Sequence, residues 1–191
     1  AAMSGPQTEG AWNVGGRLRS YWDMYSDQEI NAFFNNVGSY VGNDMYHKYE
    51  EDIKLLKSLN FKSFRTSMQW TRLLDQDGKL NPEGAAWYHK LIDCANENGI
   101  DIFMNMYHFD MPEYLVKRGG WQNREVVEAY SDSCDECLAA PTSGKLQLAG
   151  RLLSNIIYYI YSIVVLVRQD RVTLGRVGNC LRVELAERCD F

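Results

Sequence analysis

Arg65, set in Ser63-Phe64-Arg65-Thr66-Ser67, is the most informative position in this chain for chemistry. In an extended segment, alternation puts Ser63, Arg65 and Ser67 on one face and Phe64 and Met68 on the other. A cation on the polar face of a covered strand costs heavily unless it meets an anion. That anion is either a catalytic carboxylate, whose charged form the guanidinium would hold, or a structural partner at the sheet edge. His108 closes the apolar run in "IFMNMYHF", just before the turn "DMP". There it either meets a substrate at the C-terminal end of a strand or is a core imidazole satisfied by the backbone. Gln7 and Glu9, in the Gly/Pro-flanked "GPQTEGAW", offer an amide and a carboxylate to sugar hydroxyls, or are ordinary turn residues. Trp70 and Trp121 could stack on a sugar ring, although core packing is the stronger reading. His47 and His89 fall on charged helix faces and read as solvated. No His-x-x-x-His spacing or His/carboxylate cluster points to a metal, and nothing calls for a cofactor.

These groups must be carried by regular elements, and residues 44 to 130 supply them. "NDMYHKYEEDIKLLKSLN" spaces Tyr46, Tyr49, Ile53, Leu56 and Leu59 as one helix face, with Asp44 as N-cap. "FKSFRTSM" follows as a strand. In "NPEGAAWYHKLIDCANENG" Asn81 caps a second helix, Pro82 opens it, and Trp87, Leu91, Ile92 and Ala95 form its buried stripe. "IDIFMNMYHF" is apolar almost throughout, as a strand covered on both faces would be. "NREVVEAYSDSCDECLAA", capped by Asn123, gives a third helix. Alternating helices and strands with short links imply a parallel sheet with helices outside it. The two strands begin about 40 residues apart, a normal repeat for a (β/α)8 barrel.

The tripeptide Glu97-Asn98-Gly99 sits between the second helix and the second strand, where a glycine ends the helix. Glu97 therefore belongs to the foot of the sheet, away from the strand ends where barrel chemistry occurs.

The whole chain, at 191 residues, 46% apolar and 24% charged, is long enough and apolar enough for a globular core. Its net charge of −5, with no basic block, excludes nucleic acid as a natural partner. Five cysteines without a regular framework fit a reducing, cytoplasmic compartment, and Cys134-x-x-Cys137 lacks a second pair for zinc. The opening "AAMSGPQTEG" has neither the basic start nor the apolar run of a signal peptide. Residues 152 to 167, "LLSNIIYYIYSIVVLV", form an apolar run shorter than the ~20 residues of a spanning helix and flanked by Arg151 and Arg168. This argues against the membrane.

Taken in order, "SGPQTEGAW", "DMYHKYEEDIKLLKSLNFKSFRTSMQWTRLL", "GKLNPEGAAWYHKLID" and "MYHFDMPEYLVKRGGWQNREVVEAY" resemble glycoside hydrolase family 1, the retaining β-glycosidases. The H-F-D-M-P form with S-M-Q-W is most similar to the branch that cleaves 6-phospho-β-glycosides. The resemblance covers about two-thirds of the chain, residues 4 to 130. It implies a (β/α)8 TIM-barrel fold and a small β-glycoside or phospho-β-glycoside as substrate. It also implies that Gln7 and His108 bind hydroxyls of the sugar and that Arg65 pairs with the nucleophile. Phe109 stands where many members have tryptophan, so that sugar contact would be altered.

Chemistry in this family needs two carboxylates ~5–5.5 Å apart, an acid and a nucleophile. The family's Asn-Glu-Pro motif does not occur in this sequence, and its Glu-Asn-Gly motif occurs only at Glu97. The phosphate-binding residues of the phospho branch are not matched either. The expectation is therefore an incomplete barrel: residues 1–130 as about the first three βα units, and 131–191 as an unmatched tail from a shifted frame or a mispredicted gene. Such a chain would be inactive alone, would have no catalytic residue of its own, and would self-associate through open sheet edges. The alternatives are a non-catalytic sugar-binding or accessory fragment, and a membrane-associated protein using residues 152–167.

Overall fold

The computed structural model describes residues 1–27, 34 and 37–130 and the backbone of 147–148. Its elements are, in order, α1 (Gly5–Thr8), α2 (Tyr21–Ser26), α3 (Met45–Ser58), β1 (Ser63–Ser67), α4 (Trp70–Leu73), α5 (Pro82–Glu97), β2 (Asp101–Asn105), α6 (Glu113–Lys117) and β3 (Gln147–Leu148). A 3₁₀ turn at Gly120–Gln122 leads into a helical stretch at 124–130. Expectations for the Cys134–Cys137 pair and for residues 152–167 lie outside the described residues.

The sheet is parallel, in the order β1-β2-β3, with Arg65 beside Phe103 and Phe103 beside Gln147. The first three residues extend it on the other side of β1. The Arg65 N–H donates to the Ala1 carbonyl (2.9 Å), and the Met3 N–H to the Arg65 carbonyl (2.8 Å). Parallel neighbours need a crossover connection, and α5 provides it between β1 and β2. The parallel βα layout and the helix between the strands agree with the expected fold class.

Why α5 forms is plain from its ends and its stripe. The Asn81 side chain accepts from the Glu83 N–H at 3.2 Å, Pro82 occupies the first turn, and Trp87, Tyr88, Leu91, Ile92 and Ala95 are buried. In α3 only part of the expected face is covered. Ile53 and Leu56 are buried, but Leu59 is 61% exposed, and Met45, not counted in that face, is buried. Asp44 precedes α3 as expected, yet makes no side-chain cap. Its backbone is left-handed, and its carboxylate instead meets His47 Nδ1 at 2.6 Å. The short β2 is not covered evenly on both faces: Ile102 and Met104 are fully buried, Asp101 is exposed and Phe103 lies between. An exposed strand start and a buried end fit a sheet whose foot faces solvent.

Glu97 is the last residue of α5 and is exposed, and Gly99 follows in the left-handed region (φ +69°). The tripeptide is a helix terminus at the foot of β2. Among the described residues no helix is long and apolar enough to cross a membrane.

Candidate functional site at the strand ends

Three segments leave the sheet at the C-terminal ends of neighbouring strands: 4–9 after the leading strand, 67–72 after β1 and 105–110 after β2. Buried polar side chains stitch them together laterally. The Gly5 N–H donates to Ser67 Oγ at 2.8 Å. Glu9, read from the sequence as either a sugar contact or an ordinary turn residue, has its carboxylate committed elsewhere. It is buried, and Oε2 accepts from Arg72 Nε (2.9 Å) and Gln69 Nε2 (2.7 Å), while Oε1 accepts from the Tyr88 hydroxyl (2.6 Å). A buried carboxylate is tolerated only with such partners. Burial, and then the charge of Glu9, pushes the Tyr88 hydroxyl well above its usual pKa. Arg72 also donates to the carbonyls of Val14 (3.1 Å) and Gly10 (3.2 Å) and lies 4.3 Å from the centre of the Tyr46 ring.

Gln7 differs from Glu9. It is the exposed residue of α1, a short helix where a plain turn was expected, and its Oε1 accepts from Ser4 Oγ at 2.6 Å. Arg65 is half-buried in the middle of β1. With the Asn105 amide turned oxygen-first, that oxygen accepts from Arg65 Nη2 and, at 3.3 Å, from Nε. The anion expected opposite Arg65 is thus preceded by a neutral neighbour on the adjacent strand.

His108 does not end a strand. β2 stops at Asn105, and His108 lies in the loop beyond, half-buried. Burial, and then the Arg65 guanidinium, lowers its pKa from the usual imidazole value. Phe109, 53% exposed and left-handed (φ +63°), sets its ring edge-on to the His108 ring, with centroids 5.4 Å apart. Gln7, Arg65, His108 and Phe109 are thus all carried at the strand C-termini or on β1 itself. Trp70 and Trp121 stack on each other 5.9 Å apart within a cluster with Tyr107 and Tyr130, which makes them packing residues as expected.

Sequence reasoning missed Gln69, Arg72, Tyr88, Asn105 and Asp110. Two left a signal. Arg72 stands in the apolar run "WTRLL", where a cation requires a buried anion. Asp110 stands between His108 and Pro112, where an aspartate commonly bonds nearby backbone to make a turn. Among the described residues no cluster of three His, Cys, Asp or Glu side chains is arranged to hold a metal.

Parallel strands, the first two joined by a helix, with polar side chains gathered at the strand ends, define a β/α protein. The glycosyl hydrolase family 1 model matches residues 1–143, and the chain belongs to that family. It is 41% identical over 138 residues to the 6-phospho-beta-glucosidase GmuD of Bacillus subtilis, covering 72% of this chain and 30% of that protein. It is 38% identical over 133 residues to beta-glucosidase A of Acetivibrio thermocellus, covering 69% of this chain and 30% of that one. The crystal structure of a beta-glucosidase from Exiguobacterium marinum superimposes with a TM-score of 0.69 at 40% identity, over 72% of this chain and 31% of that one. The chain therefore spans about three-tenths of the length of the curated relatives it matches.

Proposed function

We propose that residues 1–130 form the sugar-holding portion of a β-glycosidase site acting on β-glucosides or their 6-phosphates. In this reading Gln7 and His108 hydrogen-bond sugar hydroxyls, Phe109 lies against the ring, and Arg65 steadies an anionic partner. The observation that carries it is that His108 and Phe109 lie in the loop after β2, which Asp110 ties to the loop after β1, in a chain of this family. A half-buried imidazole whose pKa is lowered by burial, and then by the Arg65 charge, can in its neutral form both donate to and accept from a hydroxyl, as a sugar requires. The phosphorylated substrate is favoured by the likeness to GmuD, whose name is that of a 6-phospho-beta-glucosidase.

The same reading holds that the 191-residue chain alone cleaves nothing, because neither carboxylate of the retaining mechanism falls on a matching motif. A cytoplasmic location and self-association through sheet edges belong to this proposal as well. Purified chain should release no chromophore from an aryl β-glucoside or its 6-phosphate above a heat-killed control. It should nonetheless give heat on calorimetric titration with glucose 6-phosphate at millimolar concentration, and His108→Ala should remove that heat. Turnover by the chain alone would overturn the first half of the proposal, and absence of binding the second.

A further inference from the structure

Asp110 takes no part in the sugar contacts, yet it is fully buried at the centre of the strand-end loops. Its carboxylate is committed to main-chain donors. Oδ1 accepts from the His108 N–H at 2.9 Å, and Oδ2 accepts from the Trp70 N–H, while its own N–H contributes as well. One side chain therefore joins the loop after β2 to the loop after β1. The bond to His108 spans Phe109, whose left-handed backbone (φ +63°) is uncommon and strained for a large side chain. Something must hold that conformation, and the Asp110–His108 bond closes the tight turn that contains it.

We propose that Asp110 is a positioning residue for the candidate sugar site: its carboxylate fixes the turn from which the His108 ring and the Phe109 ring project. This rests on the reading of His108 as a sugar contact, but it has consequences that do not need sugar. An ordinary structural aspartate would stabilise the fold without controlling where the imidazole lies. A positioning one must also keep the His108 ring half-buried. Burial makes this bridge costly, which is visible in the Asp110 carboxyl being pushed up to about 6. An apolar residue would avoid that cost but could not accept from both loops.

The test is nuclear magnetic resonance of the full 191-residue chain and its Asp110→Asn variant. Asparagine has nearly the same shape, but it presents an amide N–H₂ to one of the two backbone donors and so can keep only one bond. The His108 ring should titrate below the ordinary imidazole value in the unsubstituted chain and move up toward it in the variant. Glucose 6-phosphate affinity should fall about tenfold in the variant, the equivalent of one hydrogen bond. A folded variant whose His108 titrates as before would overturn the proposal. Should the variant not fold, amide exchange in the unsubstituted chain decides: the His108 and Trp70 N–H groups, held by one carboxylate, should be protected alike. A rapidly exchanging His108 amide beside a protected Trp70 would overturn it. Absence of sugar binding by the unsubstituted chain would instead count against the proposed function, leaving the ring titration to judge Asp110.

Discussion

Arg72 and Glu9 stand 63 positions apart in sequence and meet as an ion pair, Nε to Oε2 at 2.9 Å, with side chains 0% and 2% exposed. The pair locks the segment after the leading strand onto α4. Removing one partner leaves an unpaired buried charge, whereas removing both leaves none. Arg72→Met should therefore lower stability by about 3–5 kcal/mol, measured as the shift of a urea unfolding curve. Adding Glu9→Gln to that variant should recover part of the loss, because a neutral amide can still accept from Tyr88. A double variant no more stable than the single one would show that the charge itself is not the cost.

Gly84 sets two physical effects against each other. As a glycine inside α5 it weakens the helix by ~1 kcal/mol relative to alanine. A Cβ there would lie only 2.0 Å from the Arg72 carbonyl oxygen, a main-chain atom that also accepts from Asn81 Nδ2 at 2.9 Å. Forcing such an overlap typically costs about 1–3 kcal/mol. Overpacking should win, so Gly84→Ala should melt several degrees lower by circular dichroism. An unchanged or higher melting point would mean that α4 yields without loss.

Asp110 also makes a pH prediction. Its carboxyl is raised from 3.8 to about 6 by burial, with three backbone N–H donors acting in the opposite direction. The folded state thus holds this proton more tightly than the unfolded chain does. The stabilisation is fully present below about pH 3.8 and is lost as pH rises through about 6. The full swing is about 3 kcal/mol. The stability difference between the unsubstituted chain and Asp110→Asn should therefore move against the unsubstituted chain between pH 4 and pH 7. Comparing the two proteins cancels titrations elsewhere. A difference independent of pH would show that the carboxyl is not perturbed.

For Glu97 the expectation is a silence. The side chain is exposed at a helix end, so Glu97→Gln should change unfolding by less than about 0.5 kcal/mol and leave glucose 6-phosphate binding untouched. Gly99→Ala is the contrasting case. No atom lies within 4 Å of an added Cβ, so only the left-handed backbone is strained, costing about 1–2 kcal/mol. Loss of binding on Glu97→Gln would contradict its placement at the foot of the sheet.

Legibility in the sequence followed the range of the physics. The stripe of α5, its Asn81–Pro82 start and its Gly99 stop depend on residues a turn or two apart, and all were readable. So was the parallel alternation of helix and strand. The Glu9–Arg72–Gln69–Tyr88 knot was not, because Arg72 in its apolar run signals a buried anion without saying which, and the other members are ordinary polar residues until the fold brings them together. β3 was missed because a two-residue strand carries no periodicity of its own and owes its pairing to β2. His108 was assigned to the right end of the right element but to a strand rather than a loop. The apolar run continues through Met106 and Tyr107 while the sheet pairing does not, since those residues turn into packing with Met111 and the Trp70 cluster.

The pairing of residues 1–3 alongside β1 has a practical corollary. The amino group of Ala1 donates to the Ser63 carbonyl at 2.9 Å, so it sits at the start of β1, whereas His108 lies past the finish of β2. A fluorophore or immobilisation handle joined at Ala1 would emerge on the side remote from the imidazole, and surface-captured chain would present the loop that carries His108 outward.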